Sequence, residues 1–123
     1  MSLKVKDLRV FVPAKDFEES LRFYEAIGFK KNWQHEDALA ELQIGKHRIW
    51  LQNYYVKEWA ENFMISIEVA DAAEWWRMIN DLIVRDKFDS IRVKPPKDEP
   101  WGATITYCWD PSGVLLHFSQ AGK

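Results

Sequence analysis

Apolar and polar positions alternate along Leu8-Arg9-Val10-Phe11-Val12, a period of two that predicts a strand. The period then lengthens. Phe17, Leu21, Tyr24 and Ile27 recur at helical spacing, and Asp16 with Glu19 at its third position forms a capping box ahead of them. Gly28 ends the helix by taking a left-handed exit. The same grammar returns later. Ile65-Ser66-Ile67-Glu68-Val69 alternates, Asp71 and Glu74 form a second box, and Ala72, Trp75, Ile79 and Leu82 carry a second helix. A chain that repeats its order of elements in this way reads as two similar halves.

Further strands follow each helix: Phe29–His35, Ala38–Ile44 and His47–Asn53 in the first half, with Gly45-Lys46 as a turn. In the second half they are Ser90–Lys94, Ala103–Trp109 and Val114–Ser119. Val93-Lys94-Pro95-Pro96-Lys97 is expected to break the sheet and loop over an edge. The last turn, Asp110-Pro111-Ser112-Gly113, has a reason at each position: Asp110 bonds back to the backbone, Pro111 presets φ, and Gly113 accepts the exit dihedral. The expected fold is α+β, a single domain over residues 1–123. It is built from two βαβββ modules, about 4–53 and 63–120, joined by a connector at 54–62 that carries Tyr54, Tyr55 and Trp59. Each module is a curved mixed sheet with a helix on its outer face.

Composition narrows the function classes. A length of 123 residues suits one domain with a real core. A net charge of -2 gives no electrostatic footprint for nucleic acid or a membrane surface. Cys108 is the single cysteine, which excludes an internal disulfide framework and fits a reducing compartment. No apolar run has the length of a membrane span, and Met1-Ser2-Leu3-Lys4 opens no signal peptide, so the expected location is cytoplasmic. Seven Trp residues are more than a core of this size usually needs. They either pack, as large rings do, or line a pocket for a flat ligand, and at least two are expected to face a cavity.

Strand parity sorts side chains onto two faces. Leu8, Val10, Val12, Ile49, Leu51, Ile65, Ile67, Val69, Leu116 and Phe118 form the set expected beneath the helices. Their opposites are Asp7, Arg9 and Phe11; Arg48, Trp50 and Gln52; Met64, Ser66 and Glu68; Leu115, His117 and Ser119. That mixture suits either a solvated face or a ligand cavity. Phe11, Trp50, Met64 and Leu115 together favour the cavity. His35 and His47 fall at hairpin turns and read as surface residues, and Cys108 reads as an inert buried thiol.

The closing stretch, Glu99-Pro100-Trp101-Gly102, Asp110-Pro111-Ser112-Gly113 and His117-Phe118, resembles the vicinal oxygen chelate superfamily of glyoxalases, dioxygenases and bleomycin resistance proteins. Ala14-Lys15-Asp16, Phe23-Tyr24, Gly28-Phe29 and Trp33 through Asp37 extend the resemblance, which is strongest to the bleomycin resistance branch. In metal-using members each module supplies one ligand from its first strand and one from its last. The resemblance places Asp7, Met64, Trp50 and His117 at those positions, and only Asp7 and His117 have donors for a hard or borderline cation. It therefore implies no bound metal or other cofactor, and no catalytic residue. In the antibiotic-binding branch the drug lies between two subunits, and Trp101 and Trp33 match aromatic residues of that crevice.

The leading expectation is a metal-free homodimer that sequesters a flat aromatic compound such as an antibiotic. Its candidate ligand-binding residues are Trp33, Trp50, Trp101, Arg9, Phe11, Arg48, Gln52, Glu68 and His117. Arg9 and Arg48 would favour an anionic or neutral ligand. A metal-dependent lyase, dioxygenase or thiol transferase is the rival and would need ligands such as Asp7, Glu68 and His117. A third reading is an interaction module with an exposed Trp-rich patch.

Overall fold

The computed structural model describes residues 3–122. Met1, Ser2 and Lys123 lie outside the described residues, and so does the reading of the chain's first two positions. The first half runs β1 (Phe11–Pro13), α1 (Phe17–Ala26), β2 (Lys30–His35), β3 (Leu39–Ile44) and β4 (His47–Gln52). A short helix, α2 (Lys57–Ala60), interrupts the connector. The second half runs β5 (Met64–Glu68), α3 (Ala72–Arg85), β6 (Arg92–Val93), β7 (Lys97–Asp98), β8 (Thr104–Trp109) and β9 (Leu115–Gln120). The fold is mixed α+β, with two curved mixed sheets and few helices.

The sheets repeat one plan. The first has the order β1-β4-β3-β2 and the second β5-β9-β8-β6, with β7 also on β8. In each, the first strand pairs parallel with the last, and the other pairings are antiparallel.

Both helices start as the sequence predicts, because a side-chain oxygen occupies amides that have no partner inside the helix. Asp16 accepts from Glu19 N, and Asp71 accepts from Ala73 N and Glu74 N. Gly28 takes φ 117° after α1, a dihedral that a side chain would strain. The buried sides of α1 and α3 close over one continuous core that draws Val12, Ala40, Leu42 and Leu51 from the first sheet and Cys108, Leu116 and Phe118 from the second. Trp75 of α3 stacks on Phe118 with centroids 4.5 Å apart, so this indole serves packing. Among the described residues no helix is long and apolar enough to cross a membrane.

Three expectations need correction. The first strand is later and shorter than its alternation predicts: Leu8 is 78% exposed and Val10 46%, instead of lying beneath a helix. This arm is tied to the first sheet by a backbone bond from Trp50 N to Val10 O at 3.0 Å and by the polar side chains of Arg9 and Asp7, while its apolar side chains stay exposed. The Pro95-Pro96 pair interrupts pairing without ending it, since β6 and β7 both lie on β8 at an edge where missing donors cost little. The connector carries a turn of helix where only loop was expected.

Candidate functional site

Parity places Phe11, Trp50 and Glu41 side by side, because Phe11 pairs with Trp50 and Trp50 with Glu41 in the two ladders. Their neighbours Val12, Leu51 and Ala40 turn the other way into the core and are fully buried. The outward face of the first sheet is aromatic. Trp50 meets Phe11 edge-on at 5.3 Å and Trp33 edge-on at 5.5 Å. Gln52 ends the same strand, half-buried and opposite Leu39.

A buried carboxylate fixes this face. Glu41 Oε1 accepts from Arg9 Nε at 2.7 Å and from Trp50 Nε1 at 3.0 Å, while Oε2 accepts from Asn32 Nδ2 at 2.9 Å. The bonds from Trp50, Asn32 and Arg9 outweigh the cost of burial and hold the Glu41 carboxyl down to about 2. Asp7 Oδ2 lies 3.3 Å from Arg9 Nη2 and 3.1 Å from Arg48 Nη2. The two arginines are therefore matched by two carboxylates, and the preference for an anionic ligand expected from Arg9 and Arg48 does not follow.

The second sheet presents Met64, Ser66 and Glu68 on β5, against Leu115, His117 and Ser119 on β9. Tyr107 of β8 stands opposite His117, and the two rings meet at 4.8 Å. The Tyr107 hydroxyl donates to Glu99 Oε2 at 3.0 Å. Burial pushes His117 below the ordinary histidine range despite the charge of Glu99, and burial followed by Glu99 raises Tyr107. Trp101 is 69% exposed in the turn that Gly102 N closes on Glu99 O at 3.0 Å.

The candidate residues thus form two groups. Arg9, Phe11, Trp33, Arg48, Trp50 and Gln52 share the first sheet; Glu68 and His117 belong to the second, with Trp101 in a loop beside it. Trp101 makes no ring contact with Trp33 or Trp50 among the described residues. The pocket expected between the indoles is not closed by one chain. A cavity of about 440 Å³ opens instead between the modules, lined by Phe29, Ile44, Ile49, Ile65 and Ile67 together with His47, Ser66 and Glu68.

Three of the residues at the four ligand positions do not fit a chelated ion. Asp7 is taken by two arginines, Trp50 donates its only polar atom to Glu41, and Met64 is 62% exposed. Among the described residues no three His, Cys, Asp or Glu side chains gather to hold a metal. His35 and His47 are exposed. Cys108 is buried, and burial followed by Asp110 pushes its thiol far up.

Sequence reasoning missed Glu41, Tyr107 and Glu99. Strand alternation carries the signal for the first two, since Glu41 shares the parity of Trp50 and Tyr107 that of His117. Glu99 sits in a loop, where no period speaks for it.

Two βαβββ modules, the second with its edge strand split into β6 and β7, are each backed by a helix, turn a polar-aromatic sheet face outward and define a paired-module α+β class. The chain matches the Glyoxalase/Bleomycin resistance protein/Dioxygenase superfamily over residues 8–118 and belongs to it. It is 25% identical over 111 residues to the bleomycin resistance protein of Klebsiella pneumoniae, a span of 89% of this chain and 87% of that one. A bleomycin-binding protein from Streptomyces verticillus, solved with copper(II)-bleomycin, matches with a TM-score of 0.76 at 22% identity, covering 99% of this chain and all 100% of that one. Lactoylglutathione lyase from Agrobacterium tumefaciens matches with a TM-score of 0.70 at 15% identity, covering 95% of each chain.

Proposed function

We propose that this chain is a small-molecule-binding protein that sequesters a flat aromatic compound, such as an antibiotic, without a metal of its own. The observation that carries the reading is the outward cluster of Phe11, Trp33 and Trp50, with the Trp50 ring held in place by Glu41. A preorganised ring cluster binds a planar ligand with little ordering cost. Relatives named for bleomycin resistance support the same direction. The absence of fit at the ligand positions speaks against the metal-dependent lyase, dioxygenase or transferase alternative.

The working unit in this proposal is a homodimer of single-domain chains, each of two modules. An exposed arm bearing Leu3, Val5, Leu8 and Val10, and the apolar cavity between the modules, both support association with a second copy. Pairing brings the first-sheet face of one copy toward the second-sheet face of its partner, so that Trp33, Trp50, Arg9, Phe11, Arg48 and Gln52 share one crevice with Trp101, Glu68 and His117.

Calorimetric titration with copper(II)-bleomycin and a panel of flat aromatic antibiotics, followed also by Trp fluorescence, tests the reading. Binding with quenching is expected, and Trp50→Leu should weaken it about ten-fold. Silence across the panel overturns it. One tightly held transition-metal ion per chain in the purified protein overturns the metal-free part.

A further inference from the structure

Arg92 and Lys94 are two exposed cations set on one indole. The guanidinium carbon of Arg92 lies 4.4 Å from the ring centroid of Trp109, and Lys94 Nζ lies 5.5 Å from it. Strand parity brings them there. Arg92 pairs with Trp109 and Val93 with Cys108 in the ladder between β6 and β8. Cys108 is fully buried, so Arg92 and Trp109 turn outward. Lys94 N bonds Tyr107 O at 2.9 Å, which carries the alternation one step further and puts Lys94 on the side of Arg92. Two positions apart on extended chain, the two side chains start about 7 Å from each other.

Trp109 is also the ladder partner of Leu115, and Leu115 that of Met64. One row of side chains thus crosses the outward face of the second sheet from Met64 to Arg92, with Ser66, His117 and Tyr107 in the row beside it. Arg92 and Lys94 stand at the outer edge of that face. Among the described residues neither enters an ion pair, in contrast to Arg9 and Arg48, which Glu41 and Asp7 match. Two like charges on one ring repel each other until a negative group joins them. A cavity of about 380 Å³ opens on Arg92 and Trp109 and is lined also by Ser90, Glu61, Asp110 and Gly113. The Asp110 oxygens are taken by Tyr24, Ser112 and Val114, so Glu61 is the carboxylate left to act on this space.

We infer that Arg92 and Lys94 form a subsite for a carboxylate carried by the flat ligand, with the Arg92 fork bonding both carboxylate oxygens and Lys94 adding a second positive charge. The inference rests on the reading of the outward sheet faces as ligand-binding, and it adds the sign of the ligand's charge and the edge at which that charge is read. Trp109 is a positioning residue: its ring holds the guanidinium, and a head group already laid on an indole gives up little freedom when it takes a carboxylate. Glu61 opposes further negative charge, so one carboxylate suits the site better than a doubly charged group.

Indole-3-acetate and indole-3-acetamide have one shape and differ in the charge, so the pair isolates this subsite. Titrations followed by ¹H–¹⁵N NMR should show the acetate binding about ten-fold more tightly, with the Arg92 Nε–H resonance shifting only with the acetate. Arg92→Gln changes an exposed residue, keeps the fold, and should erase the preference. Trp109→Leu should weaken the acetate and leave the acetamide as it was, which a loss of packing alone would not do. Glu61→Gln should tighten the acetate about two-fold by removing the opposing charge. Equal binding of the two probes, binding of neither, an unmoved Arg92 Nε–H, or a preference that survives Arg92→Gln in a folded variant overturns the subsite. The ring-binding reading stands apart from that result, because it falls only with silence toward copper(II)-bleomycin and the antibiotic panel.

Discussion

Tyr24 of α1 donates a 2.6 Å hydrogen bond to Asp110 Oδ2, joining the first helix to the closing turn of the second module across 86 positions of sequence. Both side chains are buried, at 0% and 1% exposure. Asp110 Oδ1 accepts from Ser112 N at 2.8 Å and Val114 N at 2.9 Å, which makes the turn. Ser112 Oγ in turn accepts from Lys15 N at 2.8 Å and lies 3.3 Å from Ser20 Oγ. A turn whose composition looks local is thus also the bolt between the two halves.

Tyr24→Phe tests that bolt. Burial raises the Asp110 carboxyl from 3.8 to about 6, while the bonds from Tyr24, Ser112 and Val114 pull it back. Between those values the folded chain holds a proton that the unfolded chain has released. Stability from this group is therefore greatest below the window and falls as pH rises through it. Removing the Tyr24 hydroxyl takes away one opposing bond, so the carboxyl should titrate still higher. Stability at pH 7 should drop by about 2 kcal/mol. Urea unfolding across pH and a carbon NMR titration of the Asp110 side chain check both, and an unchanged titration refutes the coupling.

Glu41 predicts the opposite slope. Its carboxyl falls from 4.5 to about 2 in the folded chain, so its contribution is complete above the unfolded value and is lost as pH falls toward the folded one. Glu41→Gln should flatten stability across that acid window and cost about 2 kcal/mol at neutral pH, since Arg9 then loses its buried partner. The Trp50 ring loses its anchor as well, and its emission should shift to the red. A variant that keeps the wild-type acid slope would show that another group carries it.

How much of this could be read beforehand follows from the range of each interaction. The caps at Asp16 and Asp71 were legible because a cap is a contact within one turn. That Phe11 and Trp50 share a face followed from strand parity, while their pairing in the ladder did not. What the arm before Phe11 packs against was not legible, because alternation fixes which side chains share a face and says nothing of whether a surface lies there. The Arg9–Glu41 pair and the Tyr24–Asp110 bond were hidden for a related reason. Both join elements far apart in sequence, and the periods of strands and helices stop at element boundaries.

The arm itself gives the last prediction. Leu3, Val5, Leu8 and Val10 are 88%, 77%, 78% and 46% exposed, a run of apolar surface costly to leave in water. β5 is an edge of its sheet, and its Ile65 and Ile67 line the cavity between the modules. A second copy that covers arm and edge together removes both liabilities. Light scattering at micromolar concentration should therefore give twice the chain mass of 14.6 kDa. The double substitution Leu8→Glu, Val10→Glu should give the single mass with its circular dichroism unchanged, because neither side chain packs in the core of its own chain. That monomer should also lose affinity for any ligand the wild type binds in the crevice. A wild-type monomer, or a double variant that still pairs, removes the arm from the interface and with it the argument that two copies complete the site.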